Sequence, residues 1–312
     1  MAVSEALAIE RLGLGDVAGG LALSDAARWN QTADDWALFI AGGAAFGVRD
    51  EAGTLIATAA ALPYDAVTGW ISMVLVDAAH RHRGIASQLV DACVATLCDA
   101  GRIAVLDATP AGAAVYARIG FVAGFAFERW EGEGAATMTA PDPKSDGAPS
   151  PSPDPESDSA QRGFDSRDDD GVSGASSSRS SQAETLIALD RDACGVDRGP
   201  LLRSFVSRPG TRAWLAERGA GFALRRAGRR AAQVGPIVAA DEAVALELLQ
   251  IALDSTAGRA FIDVPVHRTA VAAALTRRGF VRQRPFVRMA LGDARSAAAR
   301  ERVFALAGPE FG

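Results

Sequence analysis

The sequence predicts an α/β fold of mixed sheets built twice in tandem, each copy a twisted, mostly antiparallel sheet flanked by helices. Three observations carry this expectation. β-branched runs alternate with stretches of helical periodicity, and the order strand, strand, strand, helix, strand, helix, strand occurs in both halves of the chain. The closing segments also match. Gly120-Phe121-Val122 is followed by Arg129 at the same nine-residue spacing that separates Gly279-Phe280-Val281 from Arg288, and 105–110 resembles 261–265. Between the copies, 139–183 is rich in Ser, Asp, Pro and Gly, with Phe164 and Val172 its only large apolar residues. Such a stretch buries too little surface to offset its ordering entropy. The expected organisation is therefore a first domain over 1–138, a disordered acidic linker over 139–183, and a second domain over 184–312.

In the first copy, a short strand at 8–12 precedes a helix near 16–28, and Thr32 caps a helix over 33–40. Strands at 44–48 and 55–62 flank Asp50-Glu51-Ala52-Gly53, a hairpin signal. A β-branched strand at 70–76 runs through a loop at 77–84 into a helix at 85–99. That helix places Ile85, Leu89, Val90, Cys93, Val94 and Leu97 on one face, and Gly101 ends it. A strand at 103–107 leads to Thr109-Pro110, a cap with proline at the first helical position, and the short helix stops at Gly120. A strand at 125–130 is expected to close the unit. In the second copy, strands are expected at 213–216, 221–226 and 233–238, and a helix at 242–253.

Composition narrows the function. Hydrophobic residues make up 49% of the chain, enough for substantial cores, and no long charge-free apolar run suggests a membrane span. The first residues lack a basic, apolar leader, and Cys93, Cys98 and Cys194 form no disulfide framework, so a cytoplasmic location is expected. His80, His82 and His267 are too scattered for a metal cluster, and no metal is expected. Residues 1–138 hold 16 acids and 8 bases, whereas 184–312 hold 13 acids and 20 bases, so the two parts should attract one another. Arg replaces Lys almost everywhere, Lys144 being the only lysine, which reads as compositional bias rather than nucleic-acid binding. Arg225, Arg226, Arg229 and Arg230 either face the acidic part or are solvated, and solvation is the favoured reading.

The loop Val76-Asp77-Ala78-Ala79-His80-Arg81-His82-Arg83-Gly84-Ile85-Ala86-Ser87 lies between strand and amphipathic helix. Free N–H groups at a helix start, with the positive end of its dipole, suit a diphosphate, and Gly84 allows close backbone approach. The spacing Arg-x-x-Gly-x-Ala is equally compatible with a solvated basic loop. Taken with the following strand and Tyr-x-x-x-Gly-Phe at 116–121, it resembles the GCN5-related N-acetyltransferase (GNAT) superfamily over most of 8–138. The pair of copies resembles a bacterial two-domain form whose second domain is degenerate. The resemblance implies acetyl-CoA as cosubstrate. Its pyrophosphate would rest on the amides of His82, Arg83, Gly84, Ile85, Ala86 and Ser87, with charge from Arg81. Its pantetheine arm would pair with the strand end at Val74 and Val76, and a backbone N–H near Met73–Val74 would hold the oxyanion.

By the same resemblance Tyr116 sits where the general acid is expected; otherwise it is an aromatic that anchors its helix. Asp107 either accepts a proton through water or caps the Thr109-Pro110 turn. Trp29, Asn30 and Gln31, with Ser72 on the preceding strand, form the expected acceptor-binding set, or fasten a loop. In the second copy no Arg-x-x-Gly-x-Ala precedes the helix, Asp241 and Glu242 would repel phosphate, and Leu275 stands where Tyr116 stands in the first. That copy is expected to cover the first, shape its acceptor pocket or form a homodimer contact. The expected activity is acetyl transfer to a primary amine of a small molecule in a ternary complex. The alternatives are acetylation of protein lysines or N-termini, and a non-catalytic acyl-CoA sensor.

Overall fold

Small and β-branched residues in extended runs build the first meander: β1 (Ile9–Arg11), β2 (Ala44–Arg49), β3 (Leu55–Pro63) and β4 (Thr68–Val76). The computed structural model describes residues 8–135, 172–292 and 300–312. Helices α1 (Val17–Ala26) and α2 (Ala33–Gly42) join β1 to β2, and Thr32 caps α2 by accepting from the Asp35 amide. Then come α3 (Ile85–Asp99), β5 (Ile103–Ala108), α4 (Pro110–Ile119) and β6 (Phe121–Glu133). The second half runs α5 (Val172–Cys194), α6 (Gly199–Ser207), β7 (Arg212–Leu215), β8 (Gly221–Arg226), β9 (Ala232–Ala239) and α7 (Glu242–Asp254). It ends with β10 (Arg259–Pro265), α8 (Thr269–Arg277), β11 (Val281–Leu291) and β12 (Val303–Ala305).

The expected linker needs correction at its end. Up to residue 171 it lies outside the described residues, but from Val172 the chain is helical. The later turns of α5 bury Ala183, Leu186 and Ile187, which supplies the apolar surface that the Ser-rich composition conceals.

All twelve strands belong to one sheet, in the order β1-β2-β3-β4-β5-β11-β6-β10-β9-β8-β7, with β12 on β9. β6 therefore does not close the first unit, as its position in sequence suggests. It lies between β10 and β11 of the second half, while β11 crosses over to border β5. The halves exchange their last strands, and two ion pairs join the exchanged strands to their new neighbours. Arg288 on β11 donates twice to Asp107 on β5, at 2.9 and 2.9 Å. Arg129 on β6 donates twice to Asp263 on β10, at 2.9 and 2.8 Å. Each half thus supplies the arginine for the other half's aspartate. Phe127 and Phe286 pair in register at the crossing, their rings stacked at 5.1 Å.

On one face of the sheet, α3 packs Ile85, Leu89 and Cys93 against Ile71 and Leu106. On the other face a single core runs across both halves, from Trp36 and Phe39 through Phe127 and Phe286 to Phe205 and Phe222. Arg229 pairs with Asp25 at 2.5 Å, and Arg226 approaches Asp35 to 3.7 Å. These two arginines meet acids of the first half and are not simply solvated, because the loop that carries Arg229 is fastened to Asn30.

The last described segment links the halves again. β9 and β10 pair in parallel only as far as Val234↔Ile262, and β12 enters the gap beyond. Its Val303 and Ala305 pair with Val238 and Ile237, and the Leu306 amide donates to the Asp263 carbonyl at 2.9 Å. Residues 307–312 then cross to the first half. There the Trp70 indole donates to the Pro309 carbonyl at 3.3 Å, and Tyr64 Oη donates to the Phe311 carbonyl at 2.8 Å. Phe311 is fully buried between Phe39 and Phe205.

Candidate active site

The site begins with a distortion in β4. Thr58 faces Leu75 and Ala60 faces Ser72, so neither Met73 nor Val74 has a register partner on β3. Met73 takes a left-handed φ of 55°, rare for a side chain of its size, and the Thr58 hydroxyl donates to its carbonyl at 2.9 Å. On the other edge of β4, pairing with β5 stops at Ile71↔Leu106 although β4 continues to Val76. The strands splay there. Val74 lines the gap, and Val76 ends the strand.

The 77–84 loop follows. His82 (φ 63°) and Gly84 (φ 77°) are both left-handed. Among the described residues, the N–H groups from Arg81 to Ser87 donate to no protein acceptor. Gly84 is the N-cap of α3, and a Cβ there would meet only Gln88 Nε2, at 3.9 Å, so backbone conformation rather than crowding calls for glycine. Arg81 is turned differently from expectation: its Nε donates to the Val76 carbonyl at 3.1 Å and latches the loop to the strand end. Asp77 caps the turn by accepting from the Ala79 amide at 3.0 Å. That bond, with His80 beside it, holds the Asp77 carboxyl below its usual range.

Beside the splay lies a cavity that opens to solvent. Trp29, Gln31, Ser72, Val74, Asp107 and Tyr116 line it, so five of the six expected catalytic and acceptor-binding residues meet there, with Val74 beside them. Tyr116 projects from α4, whose start is fixed by Thr109 accepting from the Gly112 amide at 3.3 Å. Burial pushes the Tyr116 phenol up to about 12.

Two expected residues have other work. Asn30 does not line the cavity. Its side chain donates to the Ala231 carbonyl at 3.0 Å and accepts from the Arg230 and Ala231 amides, at 2.9 and 3.1 Å, fastening the halves together. Both Asp107 oxygens accept from Arg288, which ties this carboxylate to β11. Burial pushes its carboxyl up, and the Arg288 guanidinium pulls against that shift.

The structure adds residues that sequence order does not suggest: Arg129, Arg284, Pro309 and Glu310 also line the cavity. They arrive through the strand exchange and through the final segment. The one sequence signal for them was the repeated Gly-to-Arg spacing, which marks Arg129 and Arg288 as equivalent. Glu310 is 8% exposed, and burial raises its carboxyl above the usual range, against the pull of Arg129 and Arg226.

Among the described residues there is no cluster of His, Cys, Asp or Glu able to hold a metal, and no helix long and apolar enough to cross a membrane.

Family models described as an acetyltransferase (GNAT) domain match residues 42–123 and, separately, 186–305. A candidate acetyltransferase from Pyrococcus horikoshii has a similar structure, with a TM-score of 0.72 at 17% identity over 100% of this chain and 98% of its own. A tandem GNAT protein from the clavulanic acid biosynthesis pathway matches with a TM-score of 0.57 at 18% identity, over 97% and 99%. A GCN5-related N-acetyltransferase from Sphaerobacter thermophilus matches with 0.56 at 14%, over 96% and 98%. No curated protein matches the chain. With a GNAT domain matched in each half and whole-chain similarity to a tandem GNAT structure, the chain belongs to the GCN5-related N-acetyltransferase superfamily as a two-domain protein.

Proposed function

We propose that the first half binds acetyl-CoA and transfers its acetyl group directly to a primary amine of a small molecule. The single observation that carries this reading is a contrast between equivalent clefts. In the first half the gap beyond Ile71↔Leu106 is open and lies beside unpaired amides at the start of α3. In the second half the gap beyond Val234↔Ile262 is filled by β12. The amides from His82 to Ser87 fit a diphosphate, and the free edge of β4 at Val74 and Val76 fits an amide-bearing arm. Bound there, the cosubstrate supplies an activated acyl thioester.

The chain's own residues then have distinct tasks. The Met73–Val74 bulge turns backbone toward the carbonyl, where an N–H can stabilise developing negative charge. Tyr116 keeps its proton at neutral pH and donates it toward the departing sulfur, whose thiol has a reference pKa of about 8.5. The second half fills its own cleft and holds one wall of the acceptor cavity, which supports a structural role for it.

Calorimetry and thiol release test the reading together. Coenzyme A should give a binding heat with the intact protein. Gly84→Val, strained at φ 77° and bulky beside the phosphates, should weaken that binding by about tenfold or more. Tyr116→Phe should bind coenzyme A normally and slow thiol release by roughly 100-fold. Absence of any binding heat, or unchanged affinity in Gly84→Val, would remove the cofactor assignment. Unchanged thiol release would remove Tyr116 from the mechanism.

A further inference from the structure

The polar groups around the cavity point to a particular kind of acceptor. Gln31 Oε1, Ser72 Oγ and Arg284 Nε are buried without a hydrogen-bond partner, and all three residues line this one cavity. Gln31 and Ser72 are only 3% and 7% exposed. Unpaired buried atoms also occur elsewhere, among them Arg208 Nε and Arg302 Nε, but these three gather around one space that a ligand can enter and are free to pair with it.

The charges sort in the same way. Of the four charged residues that line the cavity, Asp107 is neutralised by Arg288 and Arg129 by Asp263. Glu310 and Arg284 remain. Among the described residues neither forms an ion pair within 4.0 Å, and no side chain donates to the Glu310 carboxylate. A cavity with one unpaired anion and one unpaired cation is matched by a ligand carrying one of each. A phosphate dianion would need more positive charge than Arg284 alone provides, since Arg129 is already paired. A diamine would leave Arg284 opposed by a like charge.

Resting on the acetyltransferase reading above, we propose that the acceptor is a zwitterionic amino acid or a close relative. Its nitrogen lies at Glu310, its carboxylate at Arg284, and Gln31 and Ser72 hydrogen-bond its polar groups. The bound ammonium first releases one proton to solvent, and the resulting neutral amine attacks the thioester carbon. The new C–N bond forms, the C–S pair leaves with sulfur, the surplus nitrogen proton passes to Glu310, and the Tyr116 proton goes to sulfur. Return of that proton from Glu310 to the phenolate through solvent restores both groups, so one amine proton has moved to the thiol. Burial favours the neutral form of Glu310, which makes its carboxylate a better proton acceptor than an exposed one. Glu310 comes from the second half, so the first half's site is complete only with the exchanged partner in place.

The test measures thiol release by the full-length protein with acetyl-CoA, using a panel of free amino acids, the matching amino-acid amides and simple diamines. At least one amino acid should exceed its amide in kcat/KM by roughly 10- to 100-fold, the contribution of a charge-assisted bond. Arg284→Gln should erase that preference by slowing the acid far more than the amide, with its coenzyme A binding heat intact. Arg284→Lys should recover part of the preference. Amides or diamines used as well as the acids, or a preference that survives Arg284→Gln, would overturn the proposal. So would a protein that binds coenzyme A yet acetylates no member of the panel, in which case the cofactor assignment stands. Failure to bind coenzyme A at all would instead strike the reading on which the proposal rests.

Discussion

Two carboxylates line the cavity, and their partners decide what each can do. Asp107 was legible in the sequence as the end of a central strand, but Arg288 holds both its oxygens, and its role is to bind β11. Glu310 has no such partner and lies in a buried setting that raises its pKa. In the unfolded chain its carboxyl titrates near 4.3, so folding is progressively disfavoured by this group as pH rises from there through the higher folded value. Arg129 and Arg226 reduce the penalty and Asp35 adds to it. Glu310→Gln should therefore melt at the same or a higher temperature at pH 7, with the gain absent near pH 4, while acetyl transfer falls by roughly 100-fold. Scanning calorimetry at the two pH values, with thiol release, checks this; a lower melting temperature at pH 7 would show that the carboxylate is a net structural support.

β12 and the residues after it are the smallest elements with the largest consequence. Gly235 on β9 has φ 142°, and a Cβ there would lie 2.0 Å from the Leu306 carbonyl oxygen. Gly235→Ala should expel this segment from the β9–β10 gap, lower stability by about 2–4 kcal/mol, and loosen Pro309 and Glu310 at the remote cavity. The expected result is a raised KM for the acceptor with coenzyme A affinity unchanged, measured by steady-state kinetics and calorimetry. Unaltered stability would mean that the gap accommodates the extra carbon. At this scale the sequence was informative where periodicity and caps are local. Thr32, Gly84, Thr109-Pro110 and Gly120 mark their elements, and the loop at the start of α3 lies where the pattern put it. Three-residue β12 carries no periodicity of its own, and the first turns of α5 are serine-rich, so neither could be read without its neighbours. Part of the cavity wall was hidden for the same reason: Arg284 and Glu310 reach it through contacts of long sequence separation, which no local pattern encodes.

At the level of the whole molecule the exchange of last strands joins the two halves in one sheet. The Arg129–Asp263 pair is almost wholly buried, with side chains 3% and 0% exposed. Removing one member leaves the other charged and unpaired, so Asp263→Asn should cost about 3–5 kcal/mol, whereas Arg129→Met combined with Asp263→Leu should recover most of it. Urea unfolding followed by far-UV circular dichroism and tryptophan fluorescence should give one coincident transition in each variant. Two separated transitions would show that the halves melt independently. The same topology has a cost during biosynthesis. The strand that borders β5 is placed by Arg288, 181 positions after Asp107, so at about 5–20 residues per second the ribosome delivers it roughly 10–40 s later. For that interval the nascent first half presents an unpaired strand edge carrying Val105 and Leu106, a template for pairing with other nascent chains.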